Sequence, residues 1–160
     1  MVQKIGTVAL IVSAGRGHRV GYELPKQYLP LGQRTILYHS VFSFVNHNQV
    51  DAVRVVIHPD DEALYREAIG ELDILEPVFG GVERQDTVRF GLQSLQEWAP
   101  ERVLIHDGAR PRVSQTLISR VLAEVSTGQG AIPGLAMNDT IKSVNSEGYV
   151  KGTLERREIW

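Results

Sequence analysis

Short apolar runs alternate along this chain with longer stretches in which apolar residues recur every three or four positions. Residues 8–12, 53–57 and 103–105 are short, rich in β-branched residues and nearly unbroken, the pattern of strands covered on both faces. Residues 131–135 form a weaker strand candidate, because Pro133 interrupts them. Between these runs the period lengthens. In Ile36–Val45, residues Ile36, Leu37, Val41, Phe44 and Val45 return at one-turn intervals, and residues 87–98 place Val88, Leu92, Leu95 and Trp98 on one face. Residues 117–125 repeat the pattern, with Ser114 or Thr116 available as N-cap and Gly128 just past the end. Strand alternating with helix predicts an α/β fold: a mostly parallel sheet with helices on both faces.

The rhythm changes near the end. Residues 140–144 and 149–154 flank Asn145-Ser146-Glu147-Gly148, a turn-forming cluster, and predict an antiparallel hairpin of the kind that projects from a domain as an arm. The chain then ends at Trp160 on a charged run, without a closing helix.

Composition narrows the function classes. The chain has 160 residues, enough for one domain, with 42% hydrophobic and 22% charged residues and a formal net charge of −2. That balance gives no general attraction to nucleic acid or to a membrane surface. There is no cysteine, which removes disulfides, thiolate nucleophiles and cysteine metal sites and fits a reducing cytoplasm. The apolar run after the polar start is too brief for a signal peptide or a membrane span. A soluble, untargeted protein is expected.

The first predicted strand runs into Ser13-Ala14-Gly15-Arg16-Gly17-His18-Arg19. Small residues at the carboxyl end of a strand let backbone N–H groups close on a phosphate, though glycines also serve an ordinary turn. Pro25 disfavours the immediate helix of a dinucleotide fold, and the Gly-x-x-x-x-Gly-Lys-Ser/Thr loop of ATPases is absent. Leu24-Pro25-Lys26-Gln27-Tyr28-Leu29 returns a lysine towards the same loop, so that Arg19 and Lys26 would flank one polyphosphate. His39, His47 and His58 have no metal-ligand spacing and are read as structural.

Ala14-Gly15-Arg16-Gly17-x-Arg19 followed by Pro25-Lys26-Gln27-Tyr28-Leu29 resembles the entry to sugar-phosphate nucleotidyltransferases, which have a Rossmann-like fold. With Gly80-Gly81-Val82-Glu83-Arg84-Gln85-Asp86-Thr87-Val88 and His106-Asp107-Gly108-Ala109-Arg110-Pro111, the chain resembles the 2-C-methyl-D-erythritol 4-phosphate cytidylyltransferase family of the non-mevalonate isoprenoid pathway, from about residue 8 to residue 160. The resemblance implies that Ala14, Gly15, Gly17, Gly81 and Thr87 hold the nucleotide and that Arg19 and Lys26 stabilise the transition state. It places Asp107 near Mg²⁺ and Arg110 in the same loop, facing the acceptor. Asp139, Thr140 and Arg156 match arm residues that reach the acceptor phosphate of a partner subunit, with Arg156 counted among the catalytic groups. It implies a homodimer clasped through an arm at residues 138–156. Ser13, Val82 and Glu155 stand where relatives often carry Pro or Ala, Asp, and Asp. Relatives continue past this point with further helices and a late strand bearing a lysine. A domain truncated at its C-terminus, or the N-terminal domain of an enzyme fused to the cyclodiphosphate synthase, is therefore expected.

The chemistry implied is Mg²⁺-dependent attack of an acceptor phosphate on the α-phosphate of CTP, with pyrophosphate leaving. A phosphomonoester with a second pKa near roughly 6 is largely dianionic at neutral pH, so it needs no general base. It needs positioning and charge neutralisation, and one carboxylate plus phosphate oxygens suffices for Mg²⁺. Blander roles stay open for several residues: Asp107 as a turn cap, Arg110 as its ion-pair partner, Thr87 as a helix N-cap, Arg156 as a solvated charge. Two rival functions also stay open, a ribitol-phosphate cytidylyltransferase on the same scaffold and an inactive nucleotide-binding module.

Overall fold

The structure, a computed structural model, describes residues 5–16 and 24–160. It divides into two compact units, Met1–Ala123 and Glu124–Trp160.

The first unit is built on four parallel strands, β1 (Thr7–Ser13), β4 (Ala52–Ile57), β5 (Leu75–Phe79) and β6 (Arg102–Asp107), in the spatial order β5-β4-β1-β6. A two-residue pair, β2 (Pro30–Leu31) and β3 (Arg34–Thr35), forms a small antiparallel ladder between β1 and the first helix. The helices are α1 (Ile36–Val45), α2 (Glu62–Ile69), α3 (Arg84–Gln93) and α4 (Gln115–Glu124). Among the described residues no helix is long and apolar enough to cross a membrane.

The unbroken apolar character of β1 has a direct cause. Successive side chains point to opposite faces, and both faces are covered. Ala9 and Ile11 join Leu37, Val41 and Phe44 of α1, Tyr65 and Ile69 of α2, and Ile118 and Leu122 of α4 in one core. Val8 and Leu10 join Val56 and Leu95 in a second core on the opposite side. Each fully buried aliphatic side chain contributes on the order of 1.5–3 kcal/mol. Helices on both faces are what the sequence pattern predicts.

Helix starts follow capping chemistry. Thr35 accepts from the Tyr38 amide at 3.1 Å to open α1, and Ser114 accepts from the Leu117 amide at 3.2 Å in the first turn of α4. The third helix differs from expectation: it begins at Arg84 rather than at 87, with Glu83 in the cap position. It ends at Gln93, where Ser94 Oγ turns back to the Gly91 carbonyl at 2.6 Å, and Gln96–Trp98 continues as a separate 3₁₀ turn.

Two elements escape the sequence pattern. Strand β5 carries Glu76 and Pro77 and is tolerated because it lies at the sheet edge, where a missing amide costs no ladder bond. Helix α2 is short, with Glu62, Arg66 and Glu67 diluting its apolar face, and buries only Tyr65, Ala68 and Ile69.

The second unit contains the expected hairpin, β7 (Lys142–Val144) against β8 (Val150–Thr153). Asn145 Oδ1 accepts from the Glu147 and Tyr149 amides, and Gly148 supplies the positive φ of 86° that closes the turn. Residues 131–135 form no strand. Pro133 removes a ladder donor, and the run stays irregular.

Candidate active site

The chain starts in the middle of the sheet at β1, builds outwards to β4 and β5, then crosses to β6 on the other side. The order therefore reverses between β1 and β6, and open α/β sheets bind ligands at the carboxyl ends of the strands at such a switch point. A cleft of about 450 Å³ lies there. Its described lining includes Ala14 and Gly15 after β1, Lys26, Gly81 and Thr87 around the start of α3, Asp107 at the end of β6 and Arg110 just beyond it. The structure thus gathers seven of the residues singled out from sequence. Gly17 and Arg19 lie outside the described residues.

Tight packing shapes the nucleotide end of the cleft. A Cβ on Gly80 would sit 2.6 Å from the Ala14 Cβ and 2.8 Å from Thr87 Oγ1, and one on Gly81 would sit 2.3 Å from the Asp86 Cβ. Only glycine allows the β5–α3 loop to come this close to the β1 loop. Thr87 is not an N-cap. It sits inside α3, buried, with Oγ1 donating to the Glu83 carbonyl at 3.1 Å and accepting from the Gly81 amide at 3.3 Å. It therefore pins the glycine loop to the helix.

Lys26 stands in a 3₁₀ turn, Lys26–Tyr28, and is exposed. Its neighbour Gln27 is buried and donates through Nε2 to the carbonyls of Ser13 at 3.0 Å and Gly15 at 3.1 Å. That amide ties the lysine-bearing turn to the glycine loop. Sequence reading quoted Gln27 in the motif but gave it no role.

Asp107 closes β6 with its carboxylate between two guanidinium groups. Arg84 donates to Oδ1 through Nη2 at 2.9 Å and Nε at 3.3 Å, and Arg110 Nε donates to Oδ2 at 2.8 Å. Burial pushes the Asp107 carboxyl up, but Arg84 and then Arg110 outweigh it and hold the group below its usual range. The pairing of Arg110 with Asp107 was one of the blander roles open from sequence; Arg84 as the second partner was not foreseen. Next to it, burial holds the His106 imidazole below its ordinary range, with Asp107 opposing and Arg110 assisting.

Among the described residues no group of three or more His, Asp or Glu forms a metal cage. An ionised Asp107 on the cleft wall nevertheless fits Mg²⁺ bound in the way that uses one protein carboxylate and completes its shell with phosphate oxygens and water.

In the second unit, Asp139 and Thr140 are exposed, and Arg156 Nη1 donates to the carbonyl of Asn138. The expected acceptor residues are therefore neighbours at the base of the hairpin, where Leu154 donates its amide to the Ile141 carbonyl at 2.9 Å.

The geometry agrees with comparisons to known proteins. The chain is 51% identical over 153 residues to the bifunctional enzyme IspD/IspF of Rhodospirillum rubrum, covering 95% of this chain and 40% of that protein. It is 46% identical over 154 residues to the enzyme of the same name from Paramagnetospirillum magneticum, covering 96% and 40%. The chain thus spans about two fifths of the length of these curated relatives. Among solved structures, 4-diphosphocytidyl-2C-methyl-D-erythritol synthase from Anaerococcus prevotii superposes with a TM-score of 0.78 at 26% identity, covering 97% of this chain and 66% of that one. The family model of 2-C-methyl-D-erythritol 4-phosphate cytidylyltransferase matches residues 7–160, and the chain belongs to that family.

Proposed function

We propose that this chain carries the catalytic cleft of a cytidylyltransferase that joins CTP to 2-C-methyl-D-erythritol 4-phosphate, giving 4-diphosphocytidyl-2-C-methyl-D-erythritol and pyrophosphate. The observation that carries this reading is the meeting of Ala14, Gly15, Lys26, Gly81, Thr87, Asp107 and Arg110 in one cleft at the switch point of the sheet. Family membership and the curated relatives support the same activity.

The cytosine lies against the backbone of Ala14 and Gly81, where the close approach of the two loops favours a pyrimidine over a purine. The triphosphate runs past the β1 loop towards Lys26, with Arg19 as a second cation. A non-bridging oxygen of the acceptor phosphate attacks the α-phosphorus of CTP. The bond from that phosphorus to the β-phosphate oxygen breaks, and pyrophosphate leaves with the electron pair. Asp107, together with phosphate oxygens, would hold Mg²⁺, which would supply part of the charge neutralisation the triphosphate needs. Lys26 meets the charge that develops at the α-phosphate, a contact worth more in the transition state than in the ground state. Arg110 holds the acceptor side. Asp139, Thr140 and Arg156 serve the acceptor phosphate of a partner subunit, which makes the working unit a cytoplasmic homodimer clasped through residues 138–156.

Pyrophosphate release with CTP and a panel of polyol phosphates tests the proposal, run on this chain and on a version with the full length of its relatives. Turnover with methylerythritol phosphate well above that with ribitol phosphate is expected. The reverse preference would reassign the acceptor, and CTP binding without turnover in the longer version would reduce the cleft to a binding module.

A further inference from the structure

Arg16 lies within the glycine loop, between Gly15 and Gly17, yet its charge is not spent on the cleft. Its Nη1 donates to Asp61 Oδ1 at 2.8 Å, and its Nη2 lies 2.6 Å from Asp60 Oδ2 and 2.8 Å from His58 Nδ1. All three partners belong to the junction between β4 and α2, more than 40 residues away in sequence.

The partners are unequal. Asp60 is 75% exposed, and a pair of that kind contributes little. The Asp61 side chain is 1% exposed. A carboxylate that deep is costly unless paired, and removing its partner costs far more than a surface pair returns. Burial drives the Asp61 carboxyl upwards, with Arg16 and then His58 opposing. The loop residue is thus fastened to a buried anchor.

The same anchor faces the lysine-bearing turn. Tyr28, two residues beyond Lys26, is buried, and its hydroxyl interacts electrostatically with Asp61, Tyr65 and Arg16. Between the two segments, Gln27 bonds the carbonyls of Ser13 and Gly15. By contrast, Lys26 pairs with no carboxylate among the described residues.

We propose that Arg16 is a positioning residue: its ion pair with the buried Asp61 sets the glycine loop, and with it the amides and Lys26 that receive the nucleotide's phosphates. This rests on the cytidylyltransferase reading of the cleft. Arg16 acts through Asp61 and does not bind phosphate itself.

A double-mutant cycle on the full chain separates these roles. Arg16→Gln and Asp61→Asn keep size and remove charge, so both should fold, and circular dichroism checks that they do. Each should raise the dissociation constant for CTP, measured calorimetrically, by about tenfold. The double variant should be no weaker than the weaker single variant, because one interaction is lost only once. Arg16→Lys should recover part of the affinity. Additive losses, or a loss in Arg16→Gln with none in Asp61→Asn, would place Arg16 on the nucleotide and overturn the proposal. A second readout needs no nucleotide: amide hydrogen exchange at Ala14 and Gly15 should accelerate in Arg16→Gln and in Asp61→Asn. Unchanged exchange in both would overturn the tether even where CTP binds. Accelerated exchange in a protein that binds no CTP would leave the tether standing and remove the nucleotide reading instead.

Discussion

Arg84 and Asp107, 23 residues apart, meet on the wall of the cleft with Nη2 2.9 Å from Oδ1. Arg84 is 65% exposed and Asp107 31%, and pairs this open to solvent add at most about 1 kcal/mol to folding. The pair fixes the direction of the carboxylate and keeps it ionised, which matters for a hard cation more than for stability. Asp107→Asn keeps the shape and loses the charge. Its melting temperature should stay near that of the wild type, while the Mg²⁺ concentration needed for half-maximal activity rises. A Mg²⁺ titration that does not move would make Asp107 a turn cap.

Lys26 is held by its neighbours while its own ammonium is free of carboxylates among the described residues: Gln27 and Tyr28 are buried, and Gln27 donates to the carbonyls of Ser13 and Gly15. Its backbone is fixed and its charge is available. Lys26→Ala should lower kcat on the order of 10²-fold or more with only a modest change in the CTP dissociation constant. Measuring both by steady-state kinetics and calorimetry checks this. Near-normal kcat would remove Lys26 from the chemistry.

The site was legible in the sequence where small residues and charges sat in contiguous motifs. Gly15 and Asp107 end up together because they stand at the carboxyl ends of β1 and β6, both visible as apolar runs, whereas Gly81 was found through its motif alone. What stayed hidden depends on tertiary approach. Asp61 follows His58-Pro59-Asp60 and looks like part of a solvated acidic turn, yet its side chain is 1% exposed and paired with Arg16, 45 residues away. Arg84 had the motif but no visible partner, because Asp107 reaches it through the sheet rather than along the chain. Strand β5 and helix α2 were missed for a different reason: edge position and partial burial weaken the periodic signal on which such readings depend.

His106 gives the fold an acid sensitivity. Its ring packs against Phe44 with centroids 4.9 Å apart, and Nδ1 is a buried atom with no hydrogen-bond partner. Burial lowers its pKa from the ordinary 6.5, so the unfolded chain takes up a proton before the folded one does. Stability from this group is complete above the ordinary value and is lost as pH falls through the lower, folded value. Denaturant unfolding between about pH 7 and pH 5 should therefore show stability declining, with a shallower decline in His106→Phe. Identical slopes in the two proteins would show that His106 takes up its proton over the same pH range folded and unfolded.

Arg156 offers the sharpest test of the proposed arm. Its guanidinium holds the Asn138 carbonyl and so lies beside Asp139 and Thr140, all at the open end of the β7–β8 hairpin. A two-stranded hairpin is marginal in water by itself, and this one exposes Val144, Tyr149 and Val150, which the proposed dimer would cover. A planar guanidinium there would bind an acceptor phosphate through paired hydrogen bonds. Arg156→Ala should raise the acceptor KM by roughly 10-fold to 100-fold, the cost of a charge-assisted hydrogen bond, and leave CTP binding nearly unchanged. Mixing it with Lys26→Ala then reports which subunit it serves. If the site is shared, about half of randomly reassorted dimers are mixed, and each mixed dimer has one intact Lys26 facing one intact Arg156. With the acceptor at or below the wild-type KM, where both single variants are slow, the mixture should thus recover about a quarter of wild-type activity. The mixture should be made from chains of the relatives' full length, with dimers confirmed by sedimentation. Dimers without recovery would mean that Arg156 serves its own subunit's acceptor or none.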